Sequence, residues 1–524
     1  MKYFFLSLCL SVCVYSAKAQ QWRNDAEAKI EKHRKASLKI QAENIPSSGD
    51  YSIQIRQKKQ AFRWGSTANI KQIQKLTAQG AALGADHPYY HHLLNFNSIT
   101  VENTGKWIAW NKPARRETYR ELRQWLRNNQ VDNRGHGTIW ESTKYNAVPK
   151  TLLQMTDTAD IRRQIYAHID NQLEALADDV YELDLVNEPV HEDKIVKDIL
   201  KVENFAQERA NWYNYAKAKA PNLPLVINEF HLIQNGNDFH LEFGKYLQEF
   251  LAAKGTVDVI GMQGHFYGPM PDAQEIQRRI DEVSLHGIPM HVTEFDMADS
   301  SYTAMERVLY LCFAEPLMTG FTLWGAWDGN QWRDSGAIYK ANWDLKESGK
   351  AYYDLVHGQW RTDLTYVPAG TADSFSVFKG DYDIIVTHQG KSKIYPVKQL
   401  LDDTELRVDF ADVHLKSPTI NFTSDFPDYR APHTPLQVVA KGKSQDPIKT
   451  IQLLVNGYPV ARRQFEKANS KQQVEFTWAG CITGENRLQL EITTEQGLVQ
   501  RSAIKTIMGY AEHRTAHQSG PINP

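Results

Sequence analysis

The sequence predicts an α/β fold: a (β/α)8 TIM barrel with an N-terminal β-extension and C-terminal all-β modules. From Phe62 to about Tyr353, short apolar stretches alternate with amphipathic helical patterns, as parallel strands and helices do in a barrel. A glycine-rich dinucleotide-binding loop would favour a doubly wound sheet, and the sequence has no such loop. After Tyr353 apolar and polar residues alternate, which indicates antiparallel strands.

The barrel prediction depends on eight strand candidates separated by helical patterns. In one of these helices Ile161, Ile165 and Ile169 recur every four residues after Thr158, a candidate N-cap. The strand candidates are Phe62–Ser66, Phe96–Val101, Asn133–Ile139, Tyr181–Asn187, Pro224–Asn228, Asp258–Gln263, Ile288–Thr293 and Gly320–Trp324.

A chain of 524 residues is too long for one ordinary core, so two or three domains are expected. In the second all-β region, short strands with turn signals between them are typical of an immunoglobulin-like sandwich. The predicted segments are a signal peptide over 1–19, an N-terminal extension over 20–60, the barrel over 61–360, a small β-module over 361–412, the immunoglobulin-like sandwich over 416–510 and a disordered tail over 511–524.

The N-terminus has the pattern of an export signal. Lys2 precedes the apolar run Tyr3–Tyr15 and the small-x-small site Ala17–Ala19. Cleavage near Ala19 would make the protein secreted, periplasmic or attached to the cell surface, and whether it carries a lipid anchor stays open. The cysteines that remain, Cys312 and Cys481, are too far apart in sequence to predict a disulfide framework.

The composition is that of a soluble globular protein, with 42% hydrophobic and 23% charged residues. A net charge of −2 gives no electrostatic reason to expect nucleic acid or an anionic membrane as a partner. No apolar segment is long enough for a transmembrane helix. The oligomeric state is not predicted.

Two strand candidates end beside a glutamate: Tyr181–Asn187 runs into Glu188, and Ile288–Thr293 runs into Glu294. Catalytic groups of barrels lie at strand C-termini, and two carboxylates facing one bond are the arrangement of a glycosidase. Asn187, Glu188 and the following proline would also suit a plain helix start. Polar and aromatic residues at the other strand ends favour a site.

The sequences at these strand ends resemble successive motifs of glycoside hydrolase family 10, whose typical members are retaining endo-β-1,4-xylanases. The resemblance covers the whole barrel but not the C-terminal β-regions, and the RGHxxxWE form places the chain nearest a branch that includes plant-type members. The motifs are FNSITVENTGKW, RGHGTIWE, DLVNEP, INEF, VIGMQGHF, VTEFDM and FTLWGAWDGNQW.

The resemblance implies that Glu188 is the acid/base and Glu294 the nucleophile, with no cofactor and no metal. Asn187 would bind the 2-hydroxyl of the sugar at the cleavage point, and His265 would hold Glu294 ionised. The implied substrate-binding residues are Glu102, Asn103, Lys106, His136, Trp140, Asn187, Gln263, His265, Trp324 and Trp332.

Three residues depart from the family's usual pattern. Glu141 stands where a His is most familiar, and an extra carboxylate there would alter subsite preference or the pH profile. Leu183 replaces a usual Trp, and Glu229 a usual Asp.

Three histidines near the first barrel strands raise the alternative of a metal site. His87, His91 and His92 have no further ligands at a zinc-binding spacing. We therefore expect them to form a solvated surface rather than a zinc site.

The function predicted from these observations is a secreted retaining glycoside hydrolase that cleaves β-1,4-xylosidic bonds in xylan or xylooligosaccharides by double displacement. Two alternatives stay open: a non-catalytic glycan-binding protein, and a hydrolase of the same fold acting on another β-glycan. The C-terminal sandwich is either a spacer or a carbohydrate-binding module. Substrate decoration and endo or exo action are not predicted.

Overall fold

A computed structural model describes residues 21–509 except 86, 235–237, 334–335, 415–417, 431–434, 457 and 479–483. The predicted signal peptide over 1–19, Cys481 and the predicted tail over 511–524 lie outside the described residues. None of the helices in the described part is long and apolar enough to cross a membrane. The described chain begins with helix α1 over 21–34, followed by strands β1 (Lys35–Glu43) and β2 (Tyr51–Gln60).

The central part of the chain forms the predicted (β/α)8 barrel. Its third strand is broken into two short pieces, β5 and β6, between Arg134 and Ile139. The ring closes there, because Gly135 bridges Leu183 and the first strand pairs with the eighth. The strands are β3 (Arg63–Ala68), β4 (Ser98–Val101), β5 (Asp132–Arg134), β6 (Ile139–Trp140), β7 (Leu183–Asn187), β8 (Leu225–Glu229), β9 (Val259–Met262), the short side strand β10 (His265–Phe266), β11 (Met290–Met297) and β12 (Met318–Leu323).

The helices surround the barrel and turn their apolar faces towards it. Helix α7 begins at Thr158, and its N-cap is Asp157 rather than the predicted Thr158, because the Asp157 carboxylate accepts the N–H groups of Ala159 and Asp160. The helices are α2 (Ile70–Ala78), α3 (Pro88–Leu93), α4 (Trp107–Trp110), α5 (Pro113–Asn128), α6 (Lys150–Leu153), α7 (Thr158–Leu176), α8 (Phe205–Lys219), α9 (Phe239–Ala252), α10 (Ala273–Ser284), α11 (Tyr302–Ala314) and α12 (Glu347–Tyr352).

The N-terminal extension and the segment that follows the barrel form one β-structure. Strand β1 lies between β14 and β17, and β2 lies between β13 and β15. Their buried side chains, among them Leu38, Ile55 and Ile384, share one apolar core. The later strands are β13 (Asp363–Tyr366), β14 (Ala372–Phe378), β15 (Gly380–His388), β16 (Lys391–Leu400) and β17 (Thr404–Asp409).

The C-terminal region is rich in strands, as predicted, and has its own core around Val438, Leu490 and Trp478. A short pairing between β16 and β23 joins this region to the preceding strands. The immunoglobulin-like topology stays a prediction. The strands are β18 (Thr419–Phe422), β19 (Tyr429–Arg430), β20 (Leu436–Val455), β21 (Tyr458–Trp478), β22 (Gly484–Thr494), β23 (Leu498–Arg501) and β24 (Lys505–Gly509).

Candidate active site

Glu188 and Glu294 both lie at the end of the barrel where the strands have their carboxyl termini. Glu294 belongs to β11, whereas Glu188 follows the last residue of β7. The backbone of Glu188 has a φ of 56°, a left-handed conformation that costs energy for a residue with a side chain. Its N–H donates to the carbonyl oxygen of Asn228 at 2.7 Å, which helps to hold this conformation.

A pair of amide side chains connects the two carboxyl groups. Nδ2 of Asn228 donates to Oε1 of Glu294 and to Oδ1 of Asn187, both at 2.7 Å. Nδ2 of Asn187 in turn donates to Oε1 of Glu188 at 3.2 Å, and Oγ1 of Thr293 donates to Oδ1 of Asn228 at 2.6 Å. Asn228 is a site residue that sequence reasoning left out, although its position at a strand end was the available signal.

The surroundings of Glu188 favour its protonated form. Two donated hydrogen bonds act against this preference because they stabilise the carboxylate: Nε1 of Trp140 donates to Oε2 at 2.9 Å, and Nε2 of Gln263 donates to Oε1 at 2.8 Å. Burial raises the pKa of Glu188 to about 7, with further contributions from the carboxyl groups of Glu229 and Glu294. Glu188 therefore keeps its proton at mildly acidic pH, where an ordinary glutamate has lost it.

The surroundings of Glu294 favour its ionised form. Nε2 of His265 lies 3.4 Å from Oε2, and Nδ1 of His136 lies 3.8 Å from Oε1. Burial acts to raise the pKa of Glu294, but His136, His265 and Lys106 outweigh burial and lower it to about 2.

The charge on His265 is itself maintained by neighbouring carboxylates. Burial acts to lower the pKa of His265, but Asp296 and Glu294 outweigh it and raise the pKa to about 9. Nδ1 of His265 lies 3.1 Å from Oδ1 of Asp296. At mildly acidic pH the site therefore holds one protonated and one ionised glutamate, which is how an acid and a nucleophile differ in a glycosidase.

A buried ion cluster lies inside the barrel beneath His136. Nδ1 of His136 is 2.7 Å from Oδ2 of Asp184. Asp184 also accepts from Nη1 of Arg134 at 2.8 Å, and Nε of Arg134 donates to Glu182 at 2.6 Å. This cluster orients His136 towards Glu294. Asp184 and Glu182 were not predicted as site residues, because strand alternation alone does not reveal which charges meet inside a barrel.

The strand ends of β3 and β4 supply a polar floor. Glu102 accepts from Oγ1 of Thr67 at 3.0 Å and from Nδ2 of Asn69 at 2.6 Å. Nζ of Lys106 donates to Oδ1 of Asn103 at 2.8 Å. Carboxylates, amides and an ammonium group arranged in this way suit the hydroxyl groups of a sugar.

Trp324 and Trp332, two of the predicted substrate-binding residues, differ in exposure. Trp324 is only 7% exposed and lies edge-on to His136 with ring centroids 5.0 Å apart. Trp332 is 53% exposed, and its Nε1 donates to Oδ2 of Asp296 at 2.6 Å. Trp332 can therefore offer a ring face to a sugar, whereas Trp324 shapes the base of the site.

Glu141 points away from the site. Its carboxylate accepts from Nε of Arg209 at 2.8 Å and from the backbone N–H groups of Ile195 and Val196 at 2.8 and 3.0 Å. These contacts occupy both carboxylate oxygens in the protein interior. Glu141 therefore anchors the segment after Glu188 rather than contacting a sugar.

Replacing Glu141 by Ala is expected to lower the free energy of unfolding by about 3–5 kcal/mol, because Arg209 would be left buried without its partner. Chemical denaturation measures this loss. The pH dependence of hydrolysis should keep its shape in the folded variant. A shifted pH profile with unchanged stability would contradict the anchoring role.

The expectation that His87, His91 and His92 form a solvated surface is wrong for His92. His92 is buried, with its ring centroid 5.0 Å from that of Tyr89 and 5.2 Å from that of Trp343. His87 is the N-cap of α3, and its Nδ1 accepts the N–H of Tyr89 at 3.0 Å.

The model of the family described as glycosyl hydrolase family 10 matches residues 66–357, more than half of the chain. The chain belongs to glycosyl hydrolase family 10. This match confirms the family predicted from the strand-end motifs, and the barrel is a glycoside hydrolase domain. The nearer relation to members with the RGHxxxWE motif stays a prediction.

Known proteins resemble this family 10 chain at low identity. "Endo-1,4-beta-xylanase 5-like" of Arabidopsis thaliana is 24% identical over 389 residues, which are 70% of this chain and 65% of that protein. "Anti-sigma-I factor RsgI6" of Acetivibrio thermocellus is 25% identical over 394 residues, 71% of this chain and 48% of that protein. The chain thus spans less than two thirds of the length of these relatives.

Among solved structures, xylanase 10B from Thermotoga petrophila in complex with xylobiose is 16% identical with a TM-score of 0.48. The likeness covers 57% of this chain and 95% of that structure.

Proposed function

We propose that this chain is a retaining endo-1,4-β-xylanase. The observation that carries the proposal is the pair of glutamates at one end of the barrel, with the pKa of Glu188 raised to about 7 and that of Glu294 lowered to about 2. Pure binding does not require one protonated and one ionised carboxyl group joined through Asn187 and Asn228. Hydrolysis by double displacement requires both.

In the first step, Glu188 gives its proton to the glycosidic oxygen while a carboxylate oxygen of Glu294 attacks the anomeric carbon. The bond to the leaving sugar breaks, and an ester bond to Glu294 forms with inverted configuration. Nδ2 of Asn228, which donates to Oε1 of Glu294, orients the attacking carboxylate. Asn187 is placed beside Glu188 to bind the sugar's 2-hydroxyl, a contact that strengthens as charge develops.

In the second step, Glu188 is ionised and takes a proton from a water molecule, whose oxygen attacks the same anomeric carbon. The ester bond to Glu294 breaks, so the product regains its original configuration. Loss of the negative charge on Glu294 during the first step lowers the pKa of Glu188, which prepares Glu188 for its role as a base.

The substrate class is supported by the family and by relatives named as xylanases, including "Endo-1,4-beta-xylanase 5-like" and "Endo-1,4-beta-xylanase 1" of Arabidopsis thaliana. Another relative is named as an anti-sigma-I factor, a name that states no hydrolase activity. A non-catalytic glycan-binding role is the second candidate. The intact pair of glutamates favours the enzyme.

Incubation with a panel of xylan, mixed-linkage glucan and other plant cell-wall polysaccharides tests the proposal. We expect xylooligosaccharides of several lengths from xylan, with the β-anomer released first, as followed by proton NMR. Glucan oligosaccharides alone would reassign the substrate. Tight binding of xylooligosaccharides without any turnover would favour the non-catalytic role.

Export of the protein is part of the same proposal and rests on the sequence of residues 1–19. N-terminal sequencing of the mature protein is expected to begin near Gln20.

A further inference from the structure

Three exposed aromatic residues lie at the barrel end that carries Glu188 and Glu294. Tyr145 is 56%, Tyr267 58% and Trp332 53% exposed. Among the side chains that the structure describes, no other aromatic residue is exposed, and the remaining exposed large hydrophobic residues are aliphatic. Exposed apolar surface gathered at one place marks a binding surface.

Tyr145 packs on Trp140, one of the predicted substrate-binding residues. The ring of Trp140 is only 9% exposed, because Nζ of Lys106 lies 4.0 Å from its centroid and the ring of Tyr145 stacks on it at 4.9 Å and 16°. Nε1 of Trp140 donates to Glu188, so the Trp140 ring is held at the edge of the site. Tyr145 therefore lies on the Glu188 side, and the exposed Lys144 is its other neighbour, with Nζ 5.0 Å from the ring centroid.

Tyr267 lies on the Glu294 side. Its ring centroid is 6.3 Å from that of His265, and His265 is 3.4 Å from Glu294. The guanidinium of Arg333 lies 4.8 Å from the Tyr267 centroid, and Trp332 lies edge-on at 6.4 Å. These contacts fix the position of the Tyr267 ring, and more than half of the surface of Tyr267 remains exposed to solvent.

The two tyrosines flank the catalytic pair, Tyr145 through Trp140 and Tyr267 through His265. A glycan whose scissile bond lies between Glu188 and Glu294 therefore has a tyrosine beside the acid and another beside the nucleophile.

We infer that Tyr145 and Tyr267 are specificity-determining residues that stack on sugar rings of a β-1,4-linked chain lying across the catalytic pair. This inference rests on the proposed function and deepens it, because it makes the site selective for chains of several sugars over short substrates. Tyrosine offers a rigid ring of large area at low entropic cost, which suits the flat face of a pyranose.

The test compares Tyr145→Ala and Tyr267→Ala with the matched variants Tyr145→Phe and Tyr267→Phe on two substrates. One substrate is xylohexaose, and the other is an aryl β-xylobioside with a good leaving group. Each alanine variant is expected to lose about three- to tenfold in kcat/KM on xylohexaose, mostly through KM, the range expected for one aromatic stacking contact. Activity on the aryl substrate should stay within about twofold, and the phenylalanine variants should match the wild type.

Equal losses on both substrates would reveal a structural role and overturn the inference, as would no loss on xylohexaose. If the wild type hydrolyses neither substrate, the proposed function fails. The stacking role of the two tyrosines is then tested by calorimetric titration with xylohexaose.

Weaker binding of xylohexaose by Tyr145→Ala and Tyr267→Ala than by Tyr145→Phe and Tyr267→Phe supports the stacking role. Equal binding by the alanine and phenylalanine variants overturns it.

Discussion

Replacing Glu294 by Ala is expected to abolish release of reducing sugars from xylan, with a loss of about 10⁴-fold or more in kcat, because the group that forms the covalent bond is missing. His265 remains beside the vacated position, 3.4 Å from where the carboxylate oxygen lies in the wild type, and Asp296 still acts to raise its pKa. Added azide should enter the vacated space and react with an aryl xylobioside to give a glycosyl azide of inverted configuration, which NMR identifies.

The matched control for this variant is Glu102→Gln. Glu102 is a carboxylate at the same barrel end, bonded to Thr67 and Asn69 rather than to the reacting pair. We expect it to raise KM with a far smaller loss of kcat, because it removes a binding contact only. Equal sugar release by Glu294→Ala and the wild type would remove Glu294 as the nucleophile.

Glu188 should set the alkaline limit of activity. Catalysis needs Glu188 protonated, so kcat/KM should fall as the pH rises through about 7, the value to which burial raises the pKa of Glu188. Catalysis also needs Glu294 ionised, so activity should be lost on the acid side only as the pH falls towards about 2. A pH series of kcat/KM on xylooligosaccharides measures both limits.

Glu188→Ala is expected to reduce kcat on xylan by about 10²–10⁴-fold and to remove the alkaline limb. An aryl xylobioside needs less acid assistance, so its first step should lose less. An alkaline limb that persists in Glu188→Ala would assign the titration to another group.

A variant of Glu229 provides a control for the assignment of the alkaline limb of the pH profile to Glu188. Burial raises the pKa of Glu229 to about 8, so Glu188 and Glu229 titrate over overlapping ranges. Because the charge of Glu229 contributes to the raised pKa of Glu188, Glu229→Gln should move the alkaline limb to lower pH. Glutamine can keep the N–H of Val190 that Oε2 accepts at 3.0 Å but loses the N–H of Phe230 that Oε1 accepts at 2.9 Å, so thermal unfolding of the variant is measured alongside.

Much of the candidate active site could be predicted from local sequence, because the functional residues of barrels lie at the ends of strands. Each strand candidate overlaps its barrel strand in the structure, and residues following these strands, such as Glu102, Glu188 and Gln263, meet at one end of the ring. A run of apolar residues that ends at a polar residue can be recognised in a short stretch of sequence. Parallel strands of a barrel bring the polar residues at their ends together in space.

Other features depended on partners distant in sequence. Glu141 was expected to alter subsite preference or the pH profile, but Arg209 binds its carboxylate in the protein interior. The local sequence around Trp140, a predicted substrate-binding residue, did not show that Lys106 and Tyr145 cover its ring. The sequence also could not tell that β1 pairs with β14 and β17, more than three hundred residues later.

The sequence by itself determined the barrel, the family and the two glutamates, since periodicity and strand-end residues are local properties of the chain. Only the tertiary structure decided which carboxyl group keeps its proton. Glu188 and Glu294 are chemically the same residue, and their pKa values separate because one is buried among carboxyl groups and the other faces His136 and His265. Such electrostatic differences arise from distances and burial that folding alone creates.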